Sequence, residues 1–390
     1  MRRGQTLTRW SARGLPALAA LVSACLACSS VPADTYTWAN AGGGAFHKKE
    51  NWNPQGVPGP ADRALFNIGS VTYVVDVTGD DNTVDKVEFG DDVVTFNITG
   101  TLAATADSTA VLIGRTDQEP DVTLTGGGTL NVGGSFFIAG TNGSAGALTV
   151  SDCNVLTSSE LDVGCKGRGT LLIQSAGSVE CGQVIIGSYP DAVGDATVDG
   201  GRWNCGANFT IGWDNLGSLT ARSGATIGQT VTGKVVFLGR AATAHGTALI
   251  EGAGTTWDTG TEIRIGSAGA GELTLRDGAT ISGRNASIGA EASGSGTATV
   301  DGGQWDLTGV LHVGYAGAGE LTLRNEATVS GNNATIGTEA TGSGTVTVDT
   351  GQWSLSSDLS IGGRGLVAGG SGFMTVKDGS TVTVDGQTKL

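Results

Sequence analysis

A repeat of 48 residues is the feature of this sequence that most restricts its fold. Residues 266–313 and 314–361 align without a gap and are identical at 32 of 48 positions. An apolar residue followed by glycine recurs at about half that period, at intervals of 21 to 27 residues. Such a period is typical of solenoids, in which each turn packs only on its neighbours. The unit-ending glycines are Gly69, Gly90, Gly114, Gly140, Gly164, Gly187, Gly212, Gly239, Gly266, Gly289, Gly314, Gly337 and Gly362.

Each unit contains three short β signals separated by Gly-rich or Asx turns. In the unit 266–289 these signals are 272–275, 279–281 and 286–288. Strands this short do not form stable isolated hairpins, but they are stable when each pairs with the turns before and after it. The 67 glycines follow no three-residue period, which excludes collagen. We therefore predict an all-β fold, a single-stranded parallel β-helix (β-solenoid) of about twelve rungs over residues 69–390, with three short strands per rung.

One aliphatic position recurs in almost every unit and predicts which side of the strand faces the core. The residue before it is usually threonine. Because side chains alternate across a strand, the aliphatic residues should stack inward and the threonines should form an outward ladder. The aliphatic column is Leu124, Val150, Ile173, Val198, Ala221, Ile250, Leu275, Val300, Leu323, Val348 and Val376.

Residues 34–68 have a different composition from the repeats that follow. They contain Trp38, Phe46, Trp52 and Phe66, together with three of the seven prolines. The end of a solenoid exposes unpaired strand edges and apolar core. We expect this aromatic and proline-rich segment to be an N-terminal cap.

Residues 1–33 have the features of a signal peptide. Four arginines precede an apolar run at 15–27, and Val31-Pro32-Ala33 offers small residues for cleavage before Asp34. An alternative is a lipoprotein signal with attachment at Cys25, because Val22-Ser23-Ala24-Cys25 resembles a lipobox. Both interpretations predict export to the cell surface or the extracellular space. No apolar stretch is long enough for a transmembrane segment in the mature chain.

The repeats resemble those of autotransporter-type passenger domains and of large secreted β-solenoid surface proteins from environmental bacteria, through their Gly-terminated units, Thr-x-Thr-Val and Gly-x-Trp elements. Residues 34–68 are similar to the segment that often precedes such repeats, through Trp38, Gly43-Gly44-x-Phe46, Asn51-Trp52, Val57-Pro58 and Asp62-x-Ala64-x-Phe66. The resemblance implies a right-handed parallel β-helix displayed outside the cell, often as an adhesin or matrix component.

The charge of the chain excludes one class of partner. Removal of residues 1–33 lowers the net charge from −15 to −19, because this segment holds four arginines and no acid. Such a polyanion repels nucleic acid. The sequence has no nucleophile elbow, P-loop, HExxH or EF-hand motif. We predict a structural or adhesive protein with no catalytic residues, metal or cofactor, whose partners are glycans or other surface proteins. The alternative is a carbohydrate-binding or polysaccharide-degrading β-helix enzyme.

Four tryptophans recur in every second unit and allow two interpretations. As an exposed row, the rings would stack on sugar faces. As an interior ladder, they would fill the core, with Ile281 and Val329 in the intervening rungs. Polar residues flank each ring, so strand alternation favours the interior ladder. These residues are Trp203, Trp257, Trp305 and Trp353.

The cysteines and the acidic residues are candidates for a disulfide and for Ca²⁺ binding. Cys181 and Cys205 lie one repeat apart, so they are either a disulfide pair or small buried apolar side chains. Acidic residues recur after the aliphatic column, with Asp277 and Asn325 in the intervening units. Their recurrence indicates turn chemistry or weak Ca²⁺ binding rather than catalysis. The recurring acids are Asp199, Glu251, Asp301 and Asp349. His312 should point outward, because Leu311 and Val313 point inward.

Overall fold

The computed structural model describes residues 33–229, 231–364, 367–377 and 379–390. Residues 1–32 of the predicted signal peptide, with Cys25, lie outside the described residues. The described chain is almost entirely β-strand, and consecutive turns pair in parallel, which confirms the β-solenoid. A single 3-10 helix, Lys49–Asn51, lies among the described residues.

Each turn contributes a strand to each of three faces. The first face is a sheet of fourteen strands rich in Thr, Val and Leu, as expected for a half-buried β surface. Its strands are Gly44–Ala45, Thr72–Val77, Val93–Ile98, Asp121–Thr125, Ala145–Ser151, Arg168–Gln174, Val193–Asp199, Leu216–Arg222, His245–Glu251, Ala270–Arg276, Ser295–Asp301, Ala318–Arg324, Ser343–Asp349 and Ser371–Val376.

The second and third faces belong to one 27-stranded sheet, because the strands Asn154–Val163 and Ser178–Ile186 run through the bend between them. The other strands of the second face are Asn82–Val84, Thr101–Ala104, Thr129–Val132, Arg202–Cys205, Thr226–Gln229, Thr256–Asp258, Thr280–Gly283, Gln304–Leu307, Thr328–Gly331, Gln352–Leu355 and Thr381–Val384.

The third face begins in the N-terminal segment and continues to the last strand of the chain. Its strands are Thr35–Trp38, Trp52–Asn53, Arg63–Phe66, Lys86–Phe89, Thr109–Ile113, Ser135–Ile138, Phe209–Ile211, Val235–Leu238, Glu262–Ile265, Asn285–Ile288, Val310–Val313, Asn333–Ile336, Leu359–Ile361 and Thr388–Lys389. A separate antiparallel pair joins Gly363–Arg364 to Val367–Ala368.

The solenoid has about fourteen turns, not the predicted twelve. Counting unit-ending glycines missed one turn at each end. Gly44–Ala45 already pairs in parallel with Thr72–Val77, and Ser371–Val376 adds a turn beyond Gly362. The N-terminal segment therefore continues the sheets. Its aromatic rings close the end of the core, with Trp52 5.1 Å from Trp38 between ring centroids.

The register confirms the predicted inward column from Leu124 to Val348, but Val376, in the last strand of this face, is 49% exposed because no further strand of the face among the described residues covers it. Leu275 pairs with Ile250 on one side and Val300 on the other, and its side chain is 0% exposed. Thr274 pairs with Thr299, which pairs with Thr322, on the outer surface. On these strands the threonines therefore lie on the outer surface and the aliphatic residues fill the core. The core is continuous from turn to turn.

Glycine at the end of most units is required by the turn that follows the third face. Gly266 has φ +67°, and a Cβ built there would lie 2.1 Å from the carbonyl oxygen of Ser295 in the next turn. A side chain would thus be both strained and in collision with backbone. This corner repeats along the solenoid and carries the residues that follow each glycine.

Candidate functional site

The four periodic tryptophans lie inside the solenoid. Each is 0% exposed. Trp305 pairs with Ile281 and Val329, so aliphatic residues fill the intervening turns as the interior interpretation predicted. The alternative of a sugar-stacking row is therefore wrong for Trp203, Trp257, Trp305 and Trp353, because strand alternation turns all four rings into the core.

Burial leaves three of these four indole nitrogens without a hydrogen-bond acceptor among the described residues. Trp203 Nε1 donates to Cys181 Sγ at 3.4 Å. For Trp257, Trp305 and Trp353, no acceptor lies within hydrogen-bond distance in the described part of the chain. A buried donor without an acceptor destabilises the fold by about 1–3 kcal/mol. The rings are retained as core volume and not for polar recognition.

Cys181 and Cys205 are direct register partners in neighbouring turns, and both are buried. The structure holds both as thiols, and the disulfide stays a prediction. Each sulfur has backbone acceptors of its own. Cys181 Sγ lies 3.6 Å from the carbonyl oxygen of Asn204, and Cys205 Sγ lies 3.4 Å from that of Ala207. Burial raises the pKa of Cys181 well above its usual value.

The recurring acids on the first face form an ion-pair ladder. The residues that alternate with them are Arg222, Arg276, Arg324 and Lys377, not Asp277 and Asn325 as the sequence suggested. Arg324 Nε donates to Asp301 Oδ2 at 3.0 Å, and Arg276 Nε donates to Glu251 Oε2 at 2.8 Å. These carboxylates are neutralised by side chains of neighbouring turns, which removes the basis for calcium binding. Such exposed pairs contribute little stability, because solvent screens them.

A different region departs from the repeat, on the outer surface of the third face. Positions 48 residues apart hold Arg264, His312 and Ser360. The corner just after the glycine holds Ser267 and then Tyr315 at the same offset. Arg264, His312 and Ser360 point outward because their neighbours on the strands face the core, whereas Ser267 at the corner is 1% exposed. His312 lies between buried Leu311 and Val313, as predicted.

An arginine and two aromatic rings stack at the N-terminal side of this region. The Arg240 guanidinium lies 3.7 Å from the centroid of the Trp213 ring and 4.9 Å from that of Phe237. Partial burial lowers the pKa of Arg240. A cation on an aromatic face is stabilised by the ring quadrupole, most strongly on tryptophan. Trp213 and Phe237 remain partly exposed. We call Trp213, Phe237, Arg240, Arg264, His312 and Tyr315 the third-face ridge.

The ridge continues into a cleft of about 330 Å³. Arg264 holds Glu262 through two hydrogen bonds, Nε to Oε1 at 2.9 Å and Nη2 to Oε2 at 3.1 Å. Glu262, with Glu291 and Tyr315 in weaker roles, raises the pKa of Arg264. We call this space the Arg264 cleft, and it is lined by Glu262, Arg264, Ser287, Ala290, Glu291, His312 and Tyr315.

Hydrogen bonds to neighbouring turns orient the far wall of the cleft. His312 Nδ1 lies 2.6 Å from Thr335 Oγ1, and the His312 and Tyr315 rings lie 4.9 Å apart between centroids. On the near side, Ser267 Oγ donates to Glu291 Oε1 at 3.2 Å. The cleft therefore presents held carboxylates, an arginine and two rings. This arrangement suits hydrogen bonding to a polar ligand together with stacking on a ring.

Sequence reasoning missed this region for an identifiable reason. From the sequence, His312 is interpreted alone and Arg264 is not singled out, whereas the solenoid brings residues about 25 and 50 positions apart to adjacent places on one face. The available signal was the change from Arg264 to His312 to Ser360 at a position where the rest of the 48-residue repeat is largely preserved. In the described residues, no group of three or more His, Cys, Asp or Glu side chains could hold a metal ion.

Comparison with known proteins gives a limited result. No protein-family model matches the chain. A stretch of 146 residues, 36% of this chain, is 31% identical to an uncharacterized lipoprotein, YdeK, of Escherichia coli (strain K12). The match covers 11% of that protein, so the chain spans about a tenth of its relative's length. Among the described residues there is no helix with the length and apolar character needed to cross a membrane.

Proposed function

We propose that this protein is an exported, cell-surface β-solenoid with a structural or adhesive role and no catalytic activity, and that it contacts its partner through the third-face ridge. The observation that carries the proposal is the ridge itself. At the ridge the repeat gives way to partly exposed rings and arginines, while the recurring acids of the first face are paired with Arg and Lys side chains of neighbouring turns. Exposed aromatic and arginine side chains are the types most enriched at contact surfaces.

Three observations support export and surface location. Residues 1–33 have the pattern of a signal peptide, and the repeats resemble autotransporter-type passenger domains. The similarity to a segment of a lipoprotein favours the cell envelope. Intact mass of the exported protein should show Asp34 as the first residue. A diacylglyceryl group on a chain beginning at Cys25 would replace this route with lipid anchoring.

The adhesive role is tested on intact cells that produce the full chain. We expect external protease to remove the protein and the cells to lose attachment to their surface or to each other. A ridge variant, Trp213→Ala with Tyr315→Ser, should be displayed normally yet attach poorly. Arg324→Ser, on the ion-pair ladder of the first face, is the matched control and should attach like wild type. Attachment that is independent of the ridge would contradict the proposed contact surface.

A polysaccharide-degrading enzyme is the second candidate, because the Arg264 cleft groups Glu262, Glu291, His312 and Tyr315. Against it, both carboxylate oxygens of Glu262 already accept hydrogen bonds from Arg264. Purified protein incubated with pectin, alginate and neutral polysaccharides should release neither unsaturated products nor reducing ends. Turnover that is abolished by Glu262→Gln or Glu291→Gln would establish the enzyme instead.

A further inference from the structure

We propose that the Arg264 cleft and the adjoining third-face ridge bind a neutral, pyranose-containing oligosaccharide lying along the solenoid axis. This inference deepens the proposed function, on which it rests, by naming the class of partner. It is carried by the chemistry of the cleft, by its charge, and by the length of the ridge.

The chemistry of the cleft matches both sides of a pyranose ring. Hydroxyl groups on neighbouring ring carbons each donate and accept, and they pair well with a carboxylate beside a guanidinium. Glu262 and Arg264 present such a pair, held at 2.9 and 3.1 Å, and Arg264 has further N–H donors that these two bonds do not use. The C–H side of a sugar stacks on an aromatic ring, and the Tyr315 ring lies at the edge of the same cleft.

The charge of the cleft favours a neutral ligand. Arg264 is compensated by Glu262, and Glu291 adds a second carboxylate that Ser267 holds at 3.2 Å. The whole chain also carries a net charge of −15. An acidic polymer would meet repulsion from the protein as a whole and an arginine that is already neutralised. A neutral ligand with hydroxyl groups is not repelled by the net charge and does not need an uncompensated arginine.

The ridge is longer than one sugar. Trp213 and Tyr315 occupy equivalent corners four turns apart, which is a separation of about 19 Å at the spacing of strands in a sheet. Phe237, Arg240 and Arg264 lie between them, with the Arg264 guanidinium 5.8 Å from the centroid of the Phe237 ring. Since two turns approximate a disaccharide, the ridge fits roughly four sugar units. Affinity should therefore rise with chain length up to about a tetramer and then level off.

The test uses the exported protein and neutral oligosaccharide series of two to six units (cello-, xylo-, malto- and chito-oligomers), titrated by calorimetry and by Trp213 emission. Tyr315→Ser and His312→Ser are the variants of choice, because the repeat itself carries serine at Ser267 and Ser360. Both should keep the wild-type melting temperature. We expect at least one series to bind with the stated length dependence and each variant to weaken binding about tenfold. Arg324→Ser is the matched control and should bind like wild type.

The outcomes separate this inference from the proposed function. Absence of binding by every neutral series, or binding that both serine variants leave unchanged, would overturn the inference. Preference for oligogalacturonate over the neutral series would overturn the neutral class. If ridge-dependent cell attachment persists without oligosaccharide binding, the adhesive role stands and the ligand class is wrong. If oligosaccharide binds but is cleaved, the glycan site stands and the non-catalytic role is wrong.

Discussion

The periodic tryptophans of the second face and the rings of the third-face ridge are two aromatic sets in one solenoid with opposite environments. Trp257, Trp305 and Trp353 recur every 48 residues, are 0% exposed and have indole nitrogens without acceptors among the described residues. Trp213 and Tyr315 follow no such period, remain partly exposed and contact Arg240 and His312.

The two sets show how a repeat protein can separate stability from recognition. A residue that must pack on its counterpart in the next turn is constrained to recur, because the core is the same in every turn. A residue on the outer surface has no such constraint, so a departure from the pattern there costs little stability. In this chain the periodic tryptophans lie in the interior, and the loss of periodicity at outward positions of the third face marks the candidate contact surface.

The largest effect is expected from a charge placed in the periodic core. Leu275→Asp puts a carboxylate between Ile250 and Val300 with no partner, and should lower the free energy of unfolding by about 4 kcal/mol or more. Thr274→Asp, one residue earlier on the outer surface, is the control and should change stability by about 0.5 kcal/mol or less. Chemical denaturation and limited proteolysis measure both. Equal stability of the two variants would show that the assigned register is wrong.

The next effect tests whether the tryptophan column acts as core volume. Trp305→Ala should open a cavity between Ile281 and Val329 and lower the free energy of unfolding by about 3–5 kcal/mol. Trp305→Phe keeps most of the volume and removes a donor that has no acceptor, so its cost should be about 1 kcal/mol. Thermal unfolding distinguishes these. A Trp305→Ala protein as stable as wild type would place the ring outside the core.

A smaller effect on stability is expected at Asp162. This polar residue does not recur in the repeat, and corner loops cover it. Its side chain is 1% exposed, Oδ1 has no partner among the described residues, and burial raises its pKa to about 7 despite hydrogen bonds from Ser188 and Cys165. Because the folded pKa lies above the unfolded value of 3.8, ionisation destabilises the fold. The contribution of Asp162 is therefore most favourable below pH ~4, declines as the pH rises toward 7, and is constant above.

Asp162→Asn should remove that decline and stabilise the protein at pH 8 by roughly 1–3 kcal/mol. Unfolding free energies measured from pH 4 to pH 8 provide the test. Asp277→Asn, at a side chain that is 70% exposed, is the control and should leave the profile unchanged. A wild-type profile that rises steadily from pH 4 to pH 8, with Asp162→Asn parallel to it, would contradict the assignment.

Much of the fold was predictable because each turn of a solenoid repeats the same pattern of inward and outward residues. The Leu275 column, the outward threonines and the inward position of Trp305 all follow from strand alternation repeated over many units. The two terminal turns were missed, since Gly44–Ala45 and Ser371–Val376 lie outside the regular glycine spacing. The pairing of Asp301 with Arg324 was missed because the register of the charged position had been read one residue late.

The candidate site was not predictable in the same way. Arg264, Glu291 and Tyr315 are 24 to 51 residues apart, and only the register of the turns brings them to one cleft. The environment of Asp162 depends on the residue types that follow Gly164 and Gly187, among them Cys165 and Ser188, and these types follow no regular period. A single departure from a repeat is a weak signal until the structure shows that several departures share one surface.

Tryptophan fluorescence tests whether the periodic tryptophans are interior while Trp213 of the third-face ridge is accessible. Trp213 is the one tryptophan that is not buried among the described residues, whereas Trp38, Trp52, Trp203, Trp257, Trp305 and Trp353 are at most 1% exposed. Acrylamide should therefore quench a small fraction of the emission of the exported protein. Trp213→Phe should abolish that fraction, and Trp305→Phe should leave it intact. An accessible fraction that survives Trp213→Phe and disappears in Trp305→Phe would contradict the account.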